Sequence, residues 1–355
     1  MDEFVTVGRN HRVIGVSFAT DRQEVIYFDP EFKRLATSLA KGMPNLPLIR
    51  FVDSSQDERK LLIWAGSDKD AGHYFLFDRG SRAMTEIALT RAPLDRLRLV
   101  DVRSVSIPTP DGAAIPAYLT LPAGSTGKNL PTLVMPHGGP SSRDVWGFDW
   151  LAQFWASMGY AVLQPNYRGS AGYGDAWYLD NGFRSWPTAI ADVTESGRWL
   201  VKQGIADPAR LAIFGWSYGG YAALQTSTTT PGLFRAVIAV APVTDLGRLK
   251  EDRRSWSDYY STAEFIGSGE SVESGSPARH ADKMTVPVML FHGTFDRNVS
   301  SEQSKLMDQR LRGAGKQSKL VLYDNLDHQL DDSAARQDML SQSAAFLEQS
   351  FAAGK

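Results

Sequence analysis

The sequence contains no cysteine. That excludes disulfide scaffolds, thiolate zinc sites, iron–sulfur clusters and cysteine nucleophiles, and it leaves the redox compartment open. No sign of charge dominates either: 38 Lys and Arg stand against 40 Asp and Glu, for a formal net charge of −2. A chain built to hold nucleic acid or an anionic membrane surface carries a clear basic excess, so neither is expected as a partner. Long apolar runs are also missing. The longest uncharged stretch, Leu211 to Phe234, is broken by Gly215, Gly219, Gly220 and a polar Ser/Thr tract, which does not make a membrane span. The first residues, Met1-Asp2-Glu3-Phe4, lead into Arg9, His11 and Arg12 without the basic-then-apolar order of a secretory signal. A cytoplasmic location is the expectation.

What is present suits an ordinary globular chain of about two domains: 355 residues, 43% hydrophobic and 22% charged. The texture changes near residue 97. Before it, short β-branched and aromatic runs (Val13–Phe18, Glu24–Phe28, Leu48–Val52, Leu61–Ala65, His73–Asp78, Met84–Leu89) are separated by turn residues, as in an antiparallel meander. One helix interrupts them, with Asp29 as cap, Pro30 in the first turn, and Phe32, Leu35, Ala36 and Leu39 on one face. Six strands in so short a segment are about the content of one to two propeller blades. After residue 97, apolar strands at Leu130–Met135, Ala161–Leu163, Leu211–Phe214, Val237–Val240, Val286–Phe291 and Leu320–Tyr323 alternate with helix-period segments. That pattern predicts a doubly wound, mostly parallel sheet covered on both faces, with its chemistry at the carboxyl ends of the strands. The expected organisation is a partial β-propeller-like segment over 1–97 and an α/β-hydrolase domain over 98–355.

Within the second part, Leu211-Ala212-Ile213-Phe214-Gly215-Trp216-Ser217-Tyr218-Gly219-Gly220 is a strand, a Gly-x-Ser-x-Gly turn and the start of a helix. This is the context of a nucleophile elbow, in which the turn is too tight for side chains two residues either side of the serine. The alternative is a glycine-rich loop with an inert serine. A serine hydroxyl needs a base, and there are six histidines to choose from. His11 and His73 lie in the β-rich segment, His280 falls at the wrong end of the sheet, and His292 ends a strand that is not the last. His328 follows the last strand, where this architecture places its base. The acid must come from a strand end between the two. Asp296 in His292-Gly293-Thr294-Phe295-Asp296 fits, with an Asx turn or helix cap as the competing role, and Asp324 and Asp327 are rivals within the loop of His328. The oxyanion donors are the N–H of Tyr218 and, from His137-Gly138-Gly139-Pro140, that of Gly139, with His137 holding the loop.

Taken together, Gly215-Trp216-Ser217-Tyr218-Gly219-Gly220, His137-Gly138-Gly139-Pro140, the run Asn166 to Gly174 and His292-Gly293-Thr294-Phe295-Asp296 resemble the prolyl oligopeptidase family of serine peptidases. The acylaminoacyl and dipeptidyl peptidase branches are the nearest. The resemblance implies Ser217, Asp296 and His328 as the triad and Val243, Asn298 and Val299 beside the substrate pocket. Trp256, Tyr259 and Tyr260 form an aromatic wall or fill an ordinary core or surface role, and Asn166 to Gly174 is a structural loop near the site. It further implies cleavage of short peptides or acylated amino acids without metal or cofactor. The competing functions are a carboxylesterase acting on small esters and a catalytically idle fragment with an interaction role. In the dipeptidyl and prolyl branches a tyrosine hydroxyl serves the oxyanion where this chain has His137, which favours the acylaminoacyl-like branch and a backbone donor. The family's propeller cannot close within 97 residues, and the sheet edges left open point to a possible homo-oligomer.

Overall fold

Strands that bury one face only build the amino-terminal segment. In the computed structural model, which describes residues 3–352, β1 (Glu3–Val7), β2 (Arg12–Ala19) and β3 (Gln23–Tyr27) form a three-stranded antiparallel sheet. Next, β4 (Leu48–Ser54), β5 (Lys60–Gly66), β6 (His73–Asp78) and β7 (Met84–Leu89) form a four-stranded one. Both small sheets are consistent with propeller blades. The six anticipated strands are present, and β1 is a seventh. Its mixed Glu-Phe-Val-Thr-Val sequence has no turn signal before it and becomes a strand by pairing with β2 across a bulge at Val5/Thr6. Alternation decides which face is buried: Leu61, Ile63 and Ala65 of β5 and Phe75 and Phe77 of β6 join Ile14 and Phe51 in one core. The helix Pro30–Gly42 adds Phe32 and Leu39 to that core. It starts where Asp29 Oδ1 accepts the N–H groups of Glu31 (2.8 Å) and Phe32 (3.3 Å).

The eight-stranded sheet follows the order β15-β14-β13-β12-β10-β11-β9-β8. Its strands are β8 (Val102–Pro108), β9 (Ala114–Thr120), β10 (Leu130–Val134), β11 (Ala161–Pro165), β12 (Ala206–Trp216), β13 (Val237–Val240), β14 (Val288–Gly293) and β15 (Ser318–Tyr323). The pairings from β11 through β15 are all parallel, as expected of an α/β-hydrolase. The strands β8 and β9 escape a search for continuous apolar runs: Arg103, Ser104 and Ser106 interrupt β8, and Pro116 sits inside the otherwise apolar β9, where a proline argues against a strand. β13 and β14 are buried along their whole length and β12 from Leu211 to Gly215, which is why these stretches read as unbroken apolar runs. The chain steps from β10 to β11 on one side and then returns past β10 to β12, so the sheet reverses direction between β10 and β12. The loops leaving those two strands border the crevice where such folds hold their ligands.

Two compact units divide the chain: Met1–Ser104 with Tyr118–Ser125 and Val145–Gly159, and Val105–Ala117 with Thr126–Asp144 and Tyr160–Lys355. Among the described residues, no helix is long and apolar enough to cross a membrane.

Candidate active site

The strand β12 ends at Trp216, and the helix Tyr218–Thr229 starts two residues later. Ser217 between them has φ +58° and ψ −119°, a backbone conformation that an L-residue holds only when its surroundings dictate it. They do so here. A Cβ on Gly215 would lie 2.0 Å from the Gly219 carbonyl oxygen, and one on Gly219 would lie 2.1 Å from that of Pro136. The Ser217 N–H donates to the Val240 carbonyl at 2.8 Å, and the Tyr221 N–H donates to the Ser217 carbonyl at 3.0 Å. Both backbone groups of the serine are thus engaged, and its half-buried side chain stands at the amino end of a helix, where the helix dipole favours negative charge.

The loop after β10 passes directly against the serine: a Cβ on Gly138 would meet Ser217 Cβ at 3.5 Å. Gly139 sits at φ +120°, and a side chain there would strike the backbone nitrogens of Ser141 and Ser142. His137 holds the loop from behind. Its ring stacks on Tyr167 with centroids 4.3 Å apart. Its Nδ1 lies 2.7 Å from the Gly138 carbonyl and its Nε2 lies 2.8 Å from Ser170 Oγ. Burial, with help from the charge of Arg143, pushes His137 down to about 4 against the opposing pull of the Gly138 carbonyl. The neutral ring therefore faces the Gly138 carbonyl with the Nδ1 proton, and Ser170 Oγ stands between Nε2 and the Tyr167 carbonyl, which accepts its hydroxyl at 2.6 Å. Because C=O and N–H point opposite ways across a trans peptide, fixing the Gly138 carbonyl aims the Gly139 N–H away from His137. The run from Asn166 is a structural loop here: buried Asn166 accepts the Asp144 N–H at 2.8 Å and donates to the Asp144 carbonyl at 3.0 Å.

Asp296 and His328 meet. The Nδ1 of His328 donates to Asp296 Oδ2 at 2.6 Å, and the carboxylate is fully buried. The two readings of Asp296 turn out to be compatible, since Oδ1 accepts the N–H groups of Asn298 (2.8 Å) and Val299 (2.9 Å) while Oδ2 serves the imidazole. Burial alone would raise this carboxyl. Hydrogen bonds from His292 and His328, the charge of His328 and the Val299 N–H outweigh it and hold the group well below the usual carboxylate range.

Seven of the sequence-predicted residues, Ser217, His328, Tyr218, Gly139, Val243, Asn298 and Val299, line one cleft of about 670 Å³; Asp296 sits behind His328. Of the two readings of Trp256, Tyr259 and Tyr260, the ordinary one fits, since none of the three lines the cleft. Phe183 and Phe265, with Ile266, line the cleft, whereas Trp256 and Tyr260 point to solvent at 47% and 86% exposure. Phe183 opens a short 3-10 turn and Phe265 lies in the last turn of a short helix, and neither carries a motif that marks it in sequence. Three further residues brace the site. The Trp216 indole donates to the His328 carbonyl at 2.9 Å. Thr294 Oγ1 accepts the Asn325 N–H at 2.9 Å. Gly293 lets the loop of His328 cross the end of β14, because a Cβ there would lie 2.3 Å from the Leu326 carbonyl oxygen. All three sit inside motifs visible in the sequence, but their partners lie 31 residues or more away and only the fold reveals them.

Against known proteins, residues 146–354 match the model of the prolyl oligopeptidase family. The chain is similar to dipeptidyl aminopeptidase BIII of Pseudoxanthomonas mexicana, with 28% identity over 72% of this chain and 39% of the relative. It is also similar to the acylamino-acid-releasing enzyme of Rattus norvegicus, with 27% identity over 65% of this chain and 33% of the relative. It thus spans well under half the length of these curated relatives. Among solved structures, a puromycin-hydrolysing peptidase of Mycobacterium tuberculosis superposes with a TM-score of 0.81 at 24% identity, covering 98% of this chain and 55% of that one. The acylaminoacyl peptidase of Pyrococcus horikoshii gives 0.70 at 22%, over 84% and 48%. With the matched region covering more than half of its residues, the chain belongs to the prolyl oligopeptidase family.

Proposed function

We propose that this chain is a serine peptidase that cleaves short peptides or acylated amino acids through an acyl-Ser217 intermediate. The observation that carries this reading is the pairing of a strained, elbow-borne Ser217 with His328 in one cleft, the imidazole being held from behind by Asp296 at 2.6 Å. Neutral His328 takes the hydroxyl proton as Ser217 Oγ attacks the scissile carbonyl, and then returns it to the departing amine. Asp296 fixes the proton on Nδ1, which leaves Nε2 free to act as the base, and stabilises the imidazolium that forms. The oxyanion is met by the N–H of Tyr218 and that of Gly139. Water then repeats the sequence on the acyl-enzyme.

Phe183, Val243, Phe265, Ile266 and Val299 offer the substrate an apolar wall, which suits an apolar side chain beside the scissile bond, with Asn298 at its polar margin. The substrate class follows from the family and from the relatives' names. The catalytic part is assigned to 98–355 and the propeller-like part to 1–97. Labelling with a fluorophosphonate probe followed by peptide mapping tests the nucleophile, with Ser217 as the expected site. Comparing an aminoacyl anilide with a nitrophenyl acyl ester tests the substrate class. Turnover of the anilide is expected, and turnover of the ester alone would replace the peptidase reading with a carboxylesterase.

A further inference from the structure

Asp296 Oδ2 is shared by two imidazoles. Besides His328, the Nε2 of His292 lies 3.1 Å from the same oxygen and 2.9 Å from the Val299 carbonyl oxygen. Two acceptors face that nitrogen, so it carries the ring proton. The opposite nitrogen, Nδ1, lies 2.8 Å from Ser304 Oγ, whose hydroxyl donates to it. His292, Ser304 and the Asp296 side chain are all fully buried. The carboxylate therefore receives four donors: two backbone N–H groups on Oδ1 and two rings on Oδ2. The titratable groups set against it are His292 from β14 and His328 from the loop after β15.

We propose that His292 is a positioning residue, locked by Ser304, that fixes the Asp296 carboxylate and shares its Oδ2 so that His328 is held in place without being held too strongly. The inference rests on Asp296 and His328 acting as the acid and base of the site. A carboxylate with one imidazole donor in place of two is the stronger base, and it favours the imidazolium of His328 more. Loss of the His292 donor thus has two effects. The acid limb of kcat/KM moves to higher pH, because His328 keeps its proton longer, and kcat falls because the carboxylate is free to rotate.

The test compares His292→Leu, His292→Gln and Ser304→Ala in the full chain on an aminoacyl anilide from pH 5 to 9. His292→Leu is expected to lower kcat about 10²-fold, the cost of a small misplacement at a reacting centre, with KM within about threefold. Its acid limb should shift upward. His292→Gln keeps an N–H donor near the Nε2 position and is expected to recover most of kcat and the wild-type limb. Ser304→Ala, a milder change that keeps the ring, is expected to shift the limb in the same direction by less. If His292→Leu does not fold, His292→Gln and Ser304→Ala still decide the matter. A wild-type pH profile in Ser304→Ala, or a glutamine variant no better than leucine, overturns the proposal. Fluorophosphonate labelling of each variant separates the two levels. Labelling of wild type at Ser217 with unaltered variants removes only the role of His292, whereas no labelling of wild type removes the catalytic reading beneath it.

Discussion

At the scale of the residue, two groups are set by their surroundings to opposite ends. Asp296 is kept ionised by its four donors. Asp296→Asn replaces an acceptor that fixes the His328 tautomer with an amide that can present its NH2. It is expected to lower kcat by about 10⁴-fold while leaving the fold intact, as measured by steady-state kinetics beside circular dichroism. His137 is kept neutral, pushed down to about 4 from an unfolded value near 6.5. Between about pH 6.5 and 4 the unfolded chain binds a proton there that the folded chain does not, so folding stability falls as pH is lowered through that window. The loss from this one group approaches about 2 kcal/mol after allowing for its partial exposure. Urea melts of wild type and His137→Gln from pH 7 to 4 should show a shallower decline in the variant, and parallel declines would count against the assignment. Residue identities at the site are legible in the sequence where chemistry limits the choice. Few histidines and a chain order of Ser, Asp, His single out His328, whereas the bond from the Trp216 indole to its carbonyl has no local signature at all.

At the scale of the element, the site is a product of loops tied to one another at the carboxyl ends of the strands. The loop of Asp296 and the loop of His328 are joined by the N–H groups of Thr294 and Phe295, which donate to the carbonyls of Tyr323 and Leu326 at 2.9 Å each. Gly293 permits that crossing. Gly293→Ala brings a Cβ within 2.3 Å of a backbone oxygen, so one loop must move. The expected result is a loss in kcat on the order of 10²-fold, a destabilisation of about 1 to 3 kcal/mol and little change in KM. An alanine variant that matches wild type in both kcat and Tm would show that the loops are not held in this way. Elements that are fully buried or strictly alternating announce themselves in the sequence. Those that depend on distant pairing do not: β1 and β8 carry too many polar residues to read as apolar strands, and Pro116 disguises the apolar β9. The short helices Leu246–Asp252 and Tyr259–Ile266 bring residues into the cleft from a segment rich in charge.

At the scale of the whole molecule, the amino-terminal sheets leave edge strands unpaired among the described residues. In β7, at one end of the four-stranded sheet, all but the last residue are exposed, Ile87 at 54% among them. Unpaired backbone beside exposed apolar side chains invites strand addition. Concentration-dependent self-association is therefore expected by light scattering, and Ile87→Lys, a charge on that edge, should weaken it. A monodisperse monomer at every concentration would refute this prediction while leaving the chemistry untouched. The candidate site belongs to the eight-stranded sheet, where the change in strand order between β10 and β12 brings a glycine-rich loop beside a serine elbow.

The most direct measurement is kcat on an aminoacyl anilide for Ser217→Ala against wild type. A nucleophile within a working triad predicts a loss of about 10⁶-fold, with the variant as stable as its parent. Residual turnover within about tenfold of wild type would mean that the hydroxyl is not the attacking group, and the account of the site would fall with it.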